Sequence, residues 1–196
     1  MTQEFQSILA DLEAHGLPVP PTSPIIKIAK SREWLEWMYR NMLAIEGKPF
    51  AWQKEYAQVA DWLEDNKGKG LLLQGDCGRG KTYLARYVLP AILLKCMGRV
   101  MSYYDATKIG AQLSDALRKA YLVLDDIGTE SVHREYGNTR EAFAEIIDSV
   151  EKEGKLIIAT TNLDFDAMVK RYDQRSVERL VAMTKLVRFE GESMRK

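Results

Sequence analysis

Gly75-Asp76-Cys77-Gly78-Arg79-Gly80-Lys81-Thr82 is the stretch from which the rest of this chain can be read. It follows the apolar run Leu71-Leu72-Leu73 and precedes a helix-like segment, Tyr83 to Lys95. The spacing G-x-x-x-x-G-K-[ST] between a strand and a helix is that of a phosphate-binding loop. Its glycines let the backbone curl so that successive N–H groups point inward around an anion. The N-terminal end of the following helix adds partial positive charge. In such a loop Gly75, Asp76, Cys77, Gly78, Arg79 and Gly80 cradle the phosphates. Lys81 reaches the β- and γ-phosphates, and the Thr82 hydroxyl ligates Mg²⁺. A glycine-rich turn with an incidental lysine would not need the flanking strand and helix. The expected ligand is a nucleoside triphosphate.

The 196 residues suit one main domain with a short appendage, and 46% hydrophobic residues fill a core at this size. Lys+Arg and Asp+Glu are both 28, so no global basic field advertises nucleic acid. Cys77 and Cys96 form neither a C-x-x-C pair nor a zinc spacing, which fits a reduced, cytoplasmic chain. The first ten residues are polar and acidic rather than signal-like, and no run approaches 18 apolar residues, so no membrane span is expected.

Residues 3–15 read as a short helix with Phe5, Ile8, Leu9 and Leu12 on one face. Residues 16–24 hold four prolines in nine positions and read as a semi-rigid linker. Ser31 is the expected N-cap of a helix to about residue 46, with Trp34, Leu35, Met38, Met42 and Ile45 at helical spacing. This stripe, with Trp37 and Tyr39 beside it, packs on the body or docks a partner; packing is the favoured reading. A division follows into a helical N-terminal extension, 1–49, and a nucleotide-binding domain, 50–196.

A helix from about Trp52 to Asn66 leads into the first strand, Leu71–Gln74. Pro90 kinks or ends the helix after the loop near Leu89. A strand at Val100–Tyr104, a helix at 106–119 and a buried strand, Tyr121–Leu124, follow. Asn138 and Glu141 form a capping-box pattern for a helix from Thr139 to about Lys152. Leu156–Ala159 is another buried strand, ending in Thr160-Thr161-Asn162. Helices at 164–172 and 174–183 precede a last strand, Lys185–Phe189. Apolar strands alternating with helices predict an α/β fold, a parallel sheet covered on both faces. Ligands in such sheets bind at the carboxyl ends of the strands, where the polar motifs fall.

Asp125 and Asp126 close the third strand. A magnesium–nucleotide site needs one acid that reaches the metal and another that orients the attacking water. Successive strand residues point in different directions, so Asp125 is assigned to Mg²⁺ and Asp126 to the water. Asn162, one strand further on, is placed to contact that water or the γ-phosphate. Arg175 and Arg179 lie four apart on a predicted helix, hence on one face. An arginine entering a neighbour's site stabilises a transferring phosphoryl group.

Taken together, these segments resemble an AAA+ ATPase of the DnaC/IstB type, the bacterial helicase loaders and transposase-helper ATPases. The resemblance rests on Gly75–Thr82, Tyr121–Gly128, Ile157–Leu163, Arg175–Leu180 and Gly191–Arg195. It runs from about Phe50 to the C-terminus. It implies a P-loop NTPase fold with an AAA+ core, a five-stranded parallel sheet and no C-terminal lid. It further implies that Lys81 and Thr82 belong to Walker A, Asp125 and Asp126 to Walker B, and Asn162 to sensor 1. Arg179 matches the arginine presented to an adjacent subunit, and Arg195 the sensor 2 position. Mg²⁺-dependent ATP hydrolysis, homo-oligomerisation with ATP, and a replicative helicase or other DNA-processing partner follow from the resemblance. A transposase partner, or a nucleotide-gated module with little turnover, are the alternatives. Residues 105–120 form a shorter segment than the one that contacts single-stranded DNA in helicase loaders, which weakens the case for direct DNA binding. The N-terminal part has no Cys/His cluster of the kind that binds zinc in some loaders.

Overall fold

The computed structural model describes residues 3–17, 19, 22–129 and 139–191. Five strands, β1 (Gly70–Gly75), β2 (Ser102–Asp105), β3 (Tyr121–Ile127), β4 (Leu156–Thr161) and β5 (Thr184–Phe189), form one sheet in the order β2-β3-β4-β1-β5. Every pairing is parallel, as the unbroken apolar runs predict. The side chains alternate between two cores. Leu71, Leu73, Val123 and Ile158 face one, and Leu72, Leu122, Leu124 and Ile157 face the other.

The helices on the second face are α6 (Ile109–Ala116), α7 (Thr139–Glu153), α8 (Phe165–Arg171) and α9 (Gln174–Met183). The Asp164 side chain caps α8 through Ala167 N–H, and Asp173 caps α9 through Ser176 N–H, each at 2.8 Å. The expected helix over 106–119 is shorter. It begins as a 3₁₀ turn, Ala106–Lys108, where Asp105 accepts from Thr107 N–H, and α6 ends at Ala116. Asn138, the other half of the expected capping box, lies outside the described residues.

The first face carries α2 (Ser31–Ile45), α3 (Lys54–Glu64) and the helix that follows the glycine loop. The segment preceding α2 is tied to the body by the backbone bond from Ile28 N–H to Leu63 O, at 3.0 Å, and by the buried side chain of Asn66. Asn66 accepts from Ile26 N–H at 2.8 Å and Gly68 N–H at 3.1 Å, and donates to the carbonyls of Pro24 and Lys69. Ile26 and Ile28 are thereby drawn into the core.

Ser31 is not the N-cap. Lys30, at φ 55°, occupies that position, and Ser31 is the first helical residue, packed inside with no capping hydrogen bond. Leu35 and Tyr39 are the buried centre of α2, whereas Ile45 is 86% exposed at the helix end. Tyr39 stacks on Tyr83 at 5.5 Å and 11°, and contacts Phe50 and Tyr56. The stripe packs against the body, with Trp37 left outside. The amphipathic helix α1 (Gln3–Ala14) leaves Phe5 and Ile8 exposed.

Pro90 neither ends nor sharply interrupts its helix. α4 (Lys81–Tyr83) passes through a π turn, Leu84–Val88, into α5 (Leu89–Met97). Leu89 N–H donates to Leu84 O, five residues back. A proline ring collides with the carbonyl four residues earlier, here that of Arg86, and the wider turn makes room for it.

Because Tyr39 joins α2 to three other rings, Tyr39→Ala should lower unfolding stability by about 3 kcal/mol. A urea denaturation midpoint that falls with little change in slope is the expected result. A midpoint unchanged from wild type would show that α2 contributes nothing to the cooperative unit.

Candidate functional site

The loop 75–82 joins the carboxyl end of β1 to α4, at the centre of the sheet. Gly75 has φ +136°, and a Cβ there would stand 1.9 Å from Phe189 O, so no side chain fits between β1 and β5. Gly80, at φ +81°, turns the chain into α4. Lys81 is 5% exposed, and its ammonium group is fully bonded. Nζ donates to Gly75 O at 2.6 Å, Asp76 O at 2.8 Å and Asn162 Oδ1 at 2.8 Å. Burial pulls this ammonium below its usual range, against Cys77, Asp126, Asp76 and Asp125, which hold it up. Asn162 is itself exposed, so the Lys81 contact lies at the mouth of the site. Thr82 follows in the first turn of α4, half-buried.

Arg79 leans toward α3, with its guanidinium 3.5 Å from the Glu55 carboxylate, which is 1% exposed. Glu190 N–H also reaches Glu55, at 3.3 Å. The loop is therefore tied to α3 and to the end of β5. Cys77 is an exposed free thiol.

The two acids differ in surroundings. Asp125 is 2% exposed, and each carboxylate oxygen accepts a hydroxyl: Tyr103 at 2.9 Å on Oδ2 and Thr160 at 2.6 Å on Oδ1. Asp126 has φ 56° and sits at a register break between β3 and β4, spanning Leu124 to Ile127. This bulge returns Ile127 to the face that carries Leu122 and Leu124. A non-glycine residue in the left-handed region costs of order 1 kcal/mol and concentrates at functional sites. Thr160 stabilises the turn, because its Oγ1 also accepts Asp126 N–H at 2.8 Å. Burial, followed by the hydrogen bond to Asp125, raises the Tyr103 hydroxyl above its ordinary pKa.

The loop after β4 is held to its neighbours. Thr161 Oγ1 donates to Ile127 O at 2.8 Å, and Gln74 Nε2 donates to Leu163 O at 2.8 Å. Lys81, Asn162 and both acids thus share one end of the sheet. Tyr103 and Thr160 received no role from the sequence. The polar pair Thr160-Thr161 closing an otherwise apolar strand was the available signal for Thr160; Tyr103 had none.

Arg179 does not join this group. On α9 it meets Asp148 at 2.8 Å and Glu151 at 3.0 Å, both on α7. Lys152, and then Arg179, hold the Asp148 carboxyl below its usual range. Arg175, one turn earlier, is exposed. Arg195 lies outside the described residues. Among the described residues no cluster of three or more His, Cys, Asp or Glu could hold a metal, and no helix is long and apolar enough to cross a membrane.

Similarity to known proteins follows the same architecture. The crystal structure of the DnaC helicase loader superposes with a TM-score of 0.60 at 20% identity, over 72% of this chain and 93% of that one. DnaI gives 0.52 at 24% identity, over 65% and 73%. AMPPCP-bound DnaA from Aquifex aeolicus gives 0.55 at 20%, over 72% of this chain and 48% of that one. At these identities the likeness is one of fold, that of a P-loop NTPase. No curated protein sequence matches the chain. The family model described as Novel STAND NTPase 3 matches residues 50–192, from just before α3 through the glycine loop, the acids and β5. The chain therefore belongs to the Novel STAND NTPase 3 family.

Proposed function

We propose that the chain binds ATP with Mg²⁺ at the 75–82 loop and hydrolyses it, and that the nucleotide state gates its contact with a replicative helicase. The observation that carries this reading is the Lys81 ammonium, held between two loop carbonyls and Asn162 at the strand ends that also bear Asp125 and Asp126.

The donor set suits Mg²⁺. A cation that keeps most of its water and takes phosphate oxygens needs few protein ligands, so one carboxylate and one hydroxyl suffice. Asp125 and Thr82 would supply them. With one hydroxyl on each oxygen, the Asp125 carboxylate keeps further lone pairs for a metal or its water. When bound, Mg²⁺ neutralises charge on the β- and γ-phosphates.

The residues then divide the work. Two of the acceptors on Lys81 belong to the loop itself, so Asn162 is the one a phosphate oxygen replaces. The freed amide of Asn162 turns to the γ-phosphate or the attacking water. Asp126, set apart by its left-handed turn, takes the proton from that water. Arg195 contacts the γ-phosphate of its own subunit, and Arg179 completes the site of a neighbour in an ATP-bound homo-oligomer. The solved helicase loader that shares this fold supports a helicase, or another DNA-processing protein, as partner. A transposase is the alternative, and single-stranded DNA the weaker candidate. The cytoplasm is the compartment these partners require. Within the N-terminal extension 1–49, α2 packs on the ATPase domain, 50–196, so the exposed apolar side of α1 is the part that contacts the partner.

A second reading is favoured by one contact. Arg179 is engaged by two carboxylates of its own chain, which holds it back from a neighbour's site and fits a nucleotide-gated module with little turnover.

Lys81→Ala should abolish both nucleotide binding and phosphate release, and undiminished turnover would defeat the assignment. Asp126→Asn should keep binding while turnover falls by roughly 10²–10⁴. Arg179→Ala, assayed at concentrations where subunits associate, should lose a factor of about 10³–10⁵ in turnover at unchanged nucleotide affinity. An unaltered rate would make Arg179 a structural partner of α7. Co-purification with a hexameric helicase rather than a transposase is the expected partner result.

A further inference from the structure

We infer that Tyr103 is a positioning residue for Asp125: its hydroxyl, steadied by the Arg86 guanidinium stacked on its ring, fixes the carboxylate read above as facing Mg²⁺. The inference rests on that reading of Asp125.

The geometry begins on the edge strand. Tyr103 pairs with Val123, two positions before Asp105 meets Asp125, so Tyr103 and Asp125 project from the same face of the sheet. The phenol reaches along that face and donates to Oδ2 at 2.9 Å. Thr160, on the opposite neighbouring strand, donates to Oδ1 at 2.6 Å. A carboxylate gripped from both sides is not free to rotate. With one donor removed it can turn about its Cβ–Cγ bond.

Tyr103 is in turn held from outside the sheet. The Arg86 guanidinium lies 4.4 Å from the Tyr103 ring centroid and 5.2 Å from that of Tyr87. Both distances are within cation–π range. Arg86 belongs to the π turn, and its carbonyl is the one the Pro90 ring would strike in a regular helix. A proline on α5 therefore shapes the turn that holds the cation over the ring that orients the acid. Groups that orient a metal-facing ligand in this way commonly set metal affinity without touching the metal.

The test is a fluorescent ATP analogue titrated with Mg²⁺, and separately titrated in EDTA, with the full chain. Tyr103→Phe deletes the hydroxyl and leaves the ring under Arg86. It should raise the Mg²⁺ concentration for half-saturation roughly tenfold, and the defect should vanish in EDTA. Equal weakening in EDTA would mean general loosening and overturn the inference. Arg86→Gln, a surface change that keeps the hydroxyl, should shift the Mg²⁺ curve in the same direction by less. A curve superposable on wild type would remove Arg86 from the device. Asp125→Asn is the reference. If it shifts the Mg²⁺ dependence and Tyr103→Phe does not, Tyr103 merely packs and the inference fails while the reading of Asp125 stands. If Asp125→Asn leaves the Mg²⁺ dependence unaltered, the reading of Asp125 falls and takes the inference with it.

Discussion

A buried ammonium group has three N–H directions to satisfy, and leaving any of them empty costs more than a typical hydrogen bond contributes. Lys81 fills all three with Gly75 O, Asp76 O and Asn162 Oδ1. Two of these acceptors bend the loop back around the lysine, and the third crosses to the loop after β4. One side chain thus sets both the curl of the 75–82 segment and its distance from the neighbouring strand end. Gln74 reinforces the same junction through Leu163 O, and Glu55 anchors the outer side through Arg79. A loop held at this many points has its curl fixed by its own contacts.

Around this centre the backbone departs twice from regular geometry. At the end of β3 a bulge places Asp126 in the left-handed region and turns it out of line with Asp125. In the helix after the loop a π turn accommodates Pro90. Each departure has compensating contacts. Thr160 receives Asp126 N–H, and the Arg86 side chain in the π turn lies over Tyr103 and Tyr87. Local irregularity that is over-determined by its surroundings is the usual condition under which strain persists at a site.

The aromatic residues of α2 acquire a meaning from this arrangement. Tyr39 stacks on Tyr83, two residues past Lys81, and its hydroxyl stands 3.5 Å from Gly80 O. α2 therefore packs directly behind the turn into α4. Ile26 and Ile28, immediately before it, belong to the same core as β1. Residues 24–45 are in this sense continuous with the body, whereas α1 shows an apolar stripe to solvent.

The amino-acid sequence by itself determined the parallel sheet, because Leu71–Leu73, Tyr121–Leu124 and Leu156–Ala159 are apolar on both faces and helical segments separate them. It also singled out Lys81, Asp125, Asp126 and Asn162, because motif spacing and strand ends are local properties. Ser31 misled for the complementary reason: capping depends on the direction of approach, which Lys30 and the buried strap at Ile26 and Ile28 decide. The grip of Tyr103 and Thr160 on Asp125 joins residues 22 and 35 positions apart, and Lys81 meets Asn162 across 81. The clamp of Asp148 and Glu151 on Arg179 is of the same long-range kind. Only the tertiary structure decided these contacts, since strand order and helix packing, and no periodicity along the chain, bring such distant side chains within hydrogen-bonding reach.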